Sequence, residues 1–362
     1  MKYVDPPIQA VDLEIVPVER SETIPSAWYV DPAFHEFDLR AIFSQTWQYI
    51  GHGSKLRNPG NQIVGTAADN PVVVLRDKEN QLRAFYNVCR HRGGPLALED
   101  CQASVLQCKY HGWTYLLDGS LRGTPKFDRT ELFDKKDYGL TSLELDAWED
   151  LVFVRTDAGG LPLAKIFEGI KERIAPNRLS TKHFHSRVVY DVNCNWKVYV
   201  DNYLEGYHLP LVHPELTTML DYQNYVTETH DQCSLQYSAI TKQEGVYEEG
   251  TAWYYFVFPN FMMNILPGRL QTNVVQPIAH DRCRVIFDYY YDDLTSESAR
   301  KKIKEDLDFS DKVQQEDIEI CERVQDGLRS RAYDRGRFSP EMEMGVYHFQ
   351  SLLKKAYRAN LG

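Results

Sequence analysis

The 362-residue sequence predicts an α+β protein, with an all-β domain in its first half and a domain mixing sheet and helix in its second. Three observations carry that expectation. Between Trp47 and Asp157 the chain alternates short β-rich runs (TWQYIGHG, NQIVGTA, PVVVLRD, LRAFYNVC, SVLQCKY, WTYLLDG, DLVFVRT) with turn signals such as RNPGN, DKEN and LDGS. After DAGGLPLAK a helical period through IFEGIKERI gives way to strand-like SRVVYDVNCNW, and helix and strand then alternate to the end. Finally, 362 residues are more than one compact domain usually holds.

These signals divide the chain into an N-terminal segment, residues 1–45, a β domain over 46–160 and the mixed domain over 161–362; the N-terminal segment is expected to pack on the mixed domain. Within the last, Ser296 is a candidate N-cap for a long helix that stops near Gly327. The run NWKVYVDNYLEGYHLPLVHPEL predicts a broken or bulged helix, because Pro210 removes a backbone hydrogen bond and distorts the turn.

The β domain carries the strongest chemical signal. Cys89-Arg90-His91 is followed by Cys108-Lys109-Tyr110-His111, so that each of two short loops offers one thiolate and one imidazole. Two Cys on one iron and two His on the other describe a Rieske [2Fe-2S] cluster, a one-electron carrier. Zinc also accepts Cys₂His₂, but its ribbons and fingers pair like ligands in C-x₂-C and H-x₃₋₅-H, which the mixed loops here do not. Gly93-Gly94-Pro95 and Gly112-Trp113 follow the two loops and provide the tight turns such a site needs.

The run CRHRGGPLALEDCQASVLQCKYHGWTY resembles the Rieske domain of the ring-hydroxylating oxygenases. The Rieske protein of respiratory complexes differs by carrying two further cysteines that join its loops; Gly94 and Tyr110 occupy the equivalent positions here. The resemblance implies a lower-potential cluster in a reducing compartment. For the whole chain it implies a Rieske all-β domain followed by a catalytic helix-grip domain, a curved antiparallel sheet wrapped on a long C-terminal helix.

A second constellation lies in the mixed domain. Glu205, His208 and His213 can each hold a metal, and iron that activates O₂ commonly sits between two imidazoles and one carboxylate, with the opposite positions open. The H-x₄-H spacing in an apolar frame resembles the mononuclear iron motif of the oxygenase α-subunits, which makes His208 and His213 ligands. For the third we favour Asp317, which shares a helical stripe with Cys321, Val324 and Leu328, over Glu316, which turns roughly 100° away toward Ile320 and Arg323. A solvated acidic face is the competing interpretation of that helix. The resemblance gives Glu205 another role, as a bridge that hydrogen-bonds His208 and the partner subunit's His111. The family more often has Asp there, and Glu is reminiscent of its members acting on quaternary amines. Such a bridge implies a head-to-tail homotrimer.

The resemblance thus implies a terminal oxygenase: the cluster receives electrons, and a mononuclear Fe(II) uses O₂ to hydroxylate or oxidatively N-demethylate a small organic molecule. No G-x-G-x-x-G fingerprint follows a strand and no plant-type Cys₄ cluster occurs, so neither flavin nor NAD is expected in this chain; a separate NAD(P)H-dependent reductase with flavin and an iron–sulfur centre is the expected partner. For the pocket wall we select Trp253, Tyr255, Phe261 and Met263 from TAWYYFVFPNFMMNILPGRL, although the same side chains suit a core. Rings of this kind attract a quaternary ammonium by cation–π interaction, and would also line an aromatic substrate's pocket. A quaternary ammonium compound leads, aromatic-ring hydroxylation is the alternative, and an electron-transfer protein without catalysis is the alternative of another class.

Composition narrows the setting. A net charge of −11 and a pI near 5.5 argue against nucleic acid. The N-terminus lacks a basic start and apolar run, and no window nears eighteen uninterrupted apolar residues, so a cytoplasmic protein without a membrane span is expected. Beyond the two cluster cysteines, Cys101, Cys194, Cys233, Cys283 and Cys321 are an odd number without paired spacing, and free buried thiols are expected.

Overall fold

The computed structural model describes residues 5–240 and 249–361, and the chain forms two compact units, one of residues 43–167 and the other of residues 1–42 with 168–362. In the N-terminal segment α1 (Ala27–Val30) leads into α2 (Pro32–Asp38), which starts where the Asp31 side chain accepts the Ala33 N–H at 2.9 Å.

The 43–167 unit is built from strands β1 (Gln48–His52), β2 (Asn61–Ala67), β3 (Asn70–Arg76), β4 (Leu82–Tyr86), β5 (Cys101–Gln102), β6 (Leu106–Gln107), β7 (Thr114–Tyr115), β8 (Leu121–Gly123), β9 (Glu144–Trp148) and β10 (Leu151–Arg155), with one short helix α3 (Leu163–Ile166). They make three antiparallel sheets, ordered β4-β3-β2-β5, β1-β10-β9 and β6-β7-β8. β3 shows why its sequence is a continuous apolar run. Val72 and Val74 point into one core, with Ile50, Ile63, Val152 and Val154, whereas Val73 and Leu75 point into another, with Cys89, Cys108, Trp113 and Tyr115. A strand covered on both faces has no polar side to show.

In the other unit α4 (Ile170–Arg173) precedes β11 (His183–Val192), and α5 (Trp196–Tyr203), α6 (Leu209–Val212) and α7 (Pro214–Thr217) follow. Strands β12 (Val226–Thr229), β13 (Cys233–Ile240), β14 (Gly250–Val257), β15 (Phe261–Leu266), β16 (Arg269–Ala279) and β17 (Arg282–Tyr291) complete a seven-stranded antiparallel sheet, ordered β11-β17-β16-β15-β14-β13-β12. α8 (Glu297–Leu328) and α9 (Met344–Asn360) end the chain. The expected α+β class holds, and α8 is the long helix of the expected grip. Ser296 caps it by accepting the Ala299 N–H at 3.2 Å.

A row of tyrosines ties α8 to the sheet: Tyr190 donates to Asp311, Tyr291 to Asp306, and Tyr289 shares a hydrogen bond with Ser310. α5 packs between α8 and the sheet. The N-terminal segment is held through Asp38, fully buried, which accepts from Trp196 Nε1 at 2.8 Å and pairs with the buried Lys197 ammonium and the Tyr357 hydroxyl. Removing either member of such a pair would leave the other as an uncompensated buried charge, at a cost of roughly 3–5 kcal/mol.

All seven cysteines are free; Cys101 is exposed on β5, against expectation, and the other six are buried. Cys101 opens a two-residue edge strand where no core forms over it. Among the described residues no helix is long and apolar enough to cross a membrane.

Candidate metal centres

The two cysteine–histidine loops fold alike. Gly93 N–H donates to Cys89 O and Cys89 N–H to Gly94 O; Gly112 N–H donates to Cys108 O and Cys108 N–H to Trp113 O. Both Gly93 and Gly112 adopt positive φ, +70° and +74°, which a side chain would oppose. Gly94 matters for a different reason: a Cβ there would stand 2.8 Å from Cys108 Sγ. The position that lacks the respiratory-type cysteine is therefore one where a side chain would press on the Cys108 thiol.

The four donors are divided by environment. Cys89 and Cys108 are buried at 2% and 4% exposure, whereas His111 is exposed and His91 lies between. The His91 and His111 ring centroids are 4.8 Å apart, and His91 stacks on Trp113 at 4.8 Å with an 11° interplanar angle. Burial raises the Cys89 thiol, and the nearby Cys108 adds to it against a hydrogen bond from Tyr115. His91 Nδ1 is buried without a hydrogen-bond partner. An orphaned buried imidazole nitrogen is costly unless a metal accepts it, and this donor set fits a [2Fe-2S] cluster with buried sulfur ligands and a histidine edge toward solvent.

The second centre forms where the chain breaks between α5 and α7. The break differs in detail from the expected distortion at Pro210. α5 already ends at Tyr203, and Pro210 sits in the first turn of α6, where its missing N–H costs nothing. The Glu205 carboxylate caps this turn, accepting the backbone N–H of Tyr207 and, at 3.1 Å, that of His208. Pro214 then forces a second interruption, leaving His213 at φ −122° and ψ 62° between two single-turn helices. Gly345 allows α9 to start against this region, since a Cβ there would overlap Leu204 O at 2.2 Å.

These breaks aim both imidazoles at α8. His213 Nε2 lies 2.9 Å and His208 Nε2 3.8 Å from Asp317 Oδ1, and the rings are 5.1 Å apart. His208, His213 and Asp317 offer ligand atoms within 4.8 Å of one another. Two imidazole nitrogens and one carboxylate on a single side fit an Fe(II) site with open positions. Each Nδ1 also has a carboxylate: Glu205 Oε1 at 2.6 Å from that of His208, and Glu316 Oε2 at 2.6 Å from that of His213. Glu316 thus corrects the expectation that it turns away from the site; its longer side chain reaches around the helix to the far edge of the ring. Burial pulls the His213 imidazole down, but Asp317 and Glu316 outweigh it and raise it overall. Asn202 Nδ2 donates to Asp317 Oδ1 at 2.6 Å and steadies the carboxylate. It stands in the same run as Glu205, three residues earlier, and its amide was the available signal.

A cavity of about 110 Å³ opens beside these donors, lined also by Tyr203, Leu209, Leu216, Tyr225, Tyr254 and Asn264. The expected wall of Trp253, Tyr255, Phe261 and Met263 is not there. Tyr254 pairs with Asn264 across β14 and β15, and Tyr255 with Met263, so alternation sends the two pairs to opposite faces of the sheet. Trp253 instead meets Tyr237, with the Arg173 guanidinium over both rings, and Tyr255, Phe261 and Met263 are buried as core. The aromatic run was the right segment in the wrong phase.

The comparisons with known proteins agree with this chemistry. The family described as "Ring hydroxylating alpha subunit (catalytic domain)" matches residues 179–359, and "Rieske [2Fe-2S] domain" matches residues 46–138. The chain is 35% identical to the chloroplastic choline monooxygenase of Arabidopsis thaliana over 93% of its own length and 83% of that protein's. It is 30% identical to the carnitine monooxygenase oxygenase subunit of Acinetobacter pittii over 93% of this chain and 95% of the relative. The quaternary ammonium Rieske monooxygenase CntA in complex with L-carnitine has the same fold, with a TM-score of 0.84 at 28% identity, over 95% of this chain and 99% of that one. Naphthalene 1,2-dioxygenase from Rhodococcus sp. shares the fold alone, with a TM-score of 0.80 at 18% identity over 94% and 95% of the two chains. Two metal-binding constellations on the fold of these enzymes make the chain a member of the Rieske-type ring-hydroxylating oxygenase α-subunit family, a terminal oxygenase that uses a [2Fe-2S] cluster, mononuclear iron and O₂.

Proposed function

We propose that this terminal oxygenase oxidises a small quaternary ammonium compound, with His208, His213 and Asp317 holding the mononuclear iron and Cys89, His91, Cys108 and His111 the cluster. The observation that carries the substrate is the cavity wall: three tyrosines, Tyr203, Tyr225 and Tyr254, stand around one small space beside the proposed iron ligands. The Tyr203 hydroxyl donates to Asn264 Oδ1 at 2.8 Å and that of Tyr225 to Gln236 Oε1 at 3.2 Å, so these rings offer a ligand mainly their π surface. A permanent cation suits such π faces, at roughly 0.5–2 kcal/mol per ring. The choline and carnitine named for the relatives and the quaternary ammonium named for CntA support the same class.

When bound, the cluster supplies single electrons and the Fe(II) activates O₂. The protein's own part is placement. Asn202 steadies Asp317, Glu205 orients His208, and the apolar side chains of Leu209 and Leu216 exclude water from the reacting end of the substrate. Glu205 also links His208 to the partner subunit's His111, in a homotrimer, with electrons from a separate NAD(P)H-dependent flavin and iron–sulfur reductase in the cytoplasm. A mixture of this protein with such a reductase, offered alkylammonium and aromatic compounds and scored by oxidised product, tests the substrate class; product from the aromatic compounds alone would reject it.

A further inference from the structure

We propose that Glu316 is a positioning residue for the mononuclear iron: by accepting the His213 Nδ1 proton it keeps Nε2 bare and aimed at the metal. The proposal rests on the assignment of His213 as a ligand. Glu316 Oε2 lies 2.6 Å from Nδ1, and Asp317 Oδ1 lies 2.9 Å from Nε2 of the same ring. Consecutive helical residues point about 100° apart, so one ring is gripped at both edges only by lying across the surface of α8. The ring is 1% exposed, which leaves water little part in choosing its tautomer.

The tautomer decides whether the ring can ligate. A neutral imidazole carries one N–H, and a proton on Nε2 would occupy the lone pair that iron needs. A carboxylate on Nδ1 draws the proton to that side, fixes the ring plane and raises the basicity of Nε2. The charge of a neighbouring lysine also acts on Glu316, but its ammonium is paired elsewhere. Lys312, one turn earlier on α8, has its ammonium on the Glu215 carboxylate of α7. Glu215 thereby holds the one lysine within a turn of Glu316 on that helix. His208 has its counterpart in Glu205, three residues before it, so each imidazole of the pair carries its own carboxylate.

Protein loaded with both metals is dialysed against graded concentrations of an Fe(II) chelator, and iron per chain is read with the visible spectrum of the cluster and the Tm. For Glu316→Ala the mononuclear iron is expected to be lost at roughly 10- to 100-fold lower chelator strength, with the cluster spectrum and Tm of the unaltered protein. Glu316→Gln, which keeps an acceptor oxygen without the charge, should recover part of the loss. Iron retention in Glu316→Ala equal to the unaltered protein, or a Gln variant no better than Ala, overturns the proposal. His213→Ala runs alongside: if it too retains iron, the assignment of His213 falls, whereas loss there with retention in Glu316→Ala removes only the role of Glu316.

Discussion

The Tyr115 hydroxyl lies 3.3 Å from the Cys89 thiol and accepts the backbone N–H of Arg90 at 3.0 Å, which leaves its own proton for the sulfur. A donor to a cluster sulfur favours the reduced, more negative state. Tyr115→Phe should therefore lower the cluster's reduction potential. A net hydrogen bond of about 1 kcal/mol corresponds to about 40 mV for one electron. A potentiometric titration followed by EPR checks this, and an unchanged or higher potential contradicts it.

Iron content separates the two centres. Protein with both sites filled should carry about three irons per chain, and His208→Ala or Asp317→Asn should leave about two with the cluster spectrum intact. Product formation should fall below detection in both. Full iron content in either variant would remove that residue from the ligand set.

Glu205 touches His208 without sharing its place in the metal-facing triad, so its loss should affect electron delivery more than metal binding. Glu205→Gln is expected to keep about three irons while turnover drops on the order of 100-fold. Rapid reduction of the cluster with slow onward transfer, seen by stopped-flow absorbance, is the expected signature. A variant with normal turnover would exclude the bridge.

The described residues lining the cavity include two carboxylates, Glu205 and Asp317, and no lysine or arginine. A quaternary ammonium alcohol such as choline should then be preferred over a zwitterion such as carnitine, whose carboxylate finds no cationic side chain among those residues. The ratio of kcat/KM for the two compounds checks it; a ratio favouring carnitine would reverse the prediction. Replacing Tyr254 by Leu should raise KM for the preferred compound several-fold, in line with roughly 1 kcal/mol for one ring.

His348 gives the fold an acid-sensitive point. Its imidazole lies in α9, its Nδ1 is buried without a partner, and burial, helped by Lys355, lowers it to about 4. Above pH 6.5 both folded and unfolded states hold it neutral; as pH falls from 6.5 toward 4 only the unfolded chain takes up the proton, so stability declines across that window, by about 3 kcal/mol at most. His348→Gln should flatten the fall of Tm between pH 6.5 and 4. An equal fall in both proteins would place the acid sensitivity elsewhere.

What the sequence made legible was local. The two Cys–His loops, the H-x₄-H run and the Ser296 cap each lie within a few residues, and short-range pattern suffices to recognise them. Asp317 could be set beside His213 through a helical stripe and the family resemblance, and the stripe says which residues share a face and not how far a side chain reaches. That is why Glu316 was misjudged: a 100° offset is real, but a glutamate has the length to cancel it. The pocket wall failed on phase. β14 is apolar on both faces, so its composition holds no mark that tells Tyr254 from Tyr255, and only the pairing partners on β15 and the packing of α5 decide.

α8 brings a last consequence. Asp317 comes from a helix 104 residues along the chain from His213, and the Tyr190, Tyr289 and Tyr291 hydrogen bonds must seat that helix before the carboxylate can meet the imidazoles. A growing or half-folded chain therefore presents no complete nest for iron. On the proposed ligand set, loading becomes a checkpoint on folding: metal would be captured only by molecules that have finished, and by mass action each ion captured would hold the helix in place against reopening.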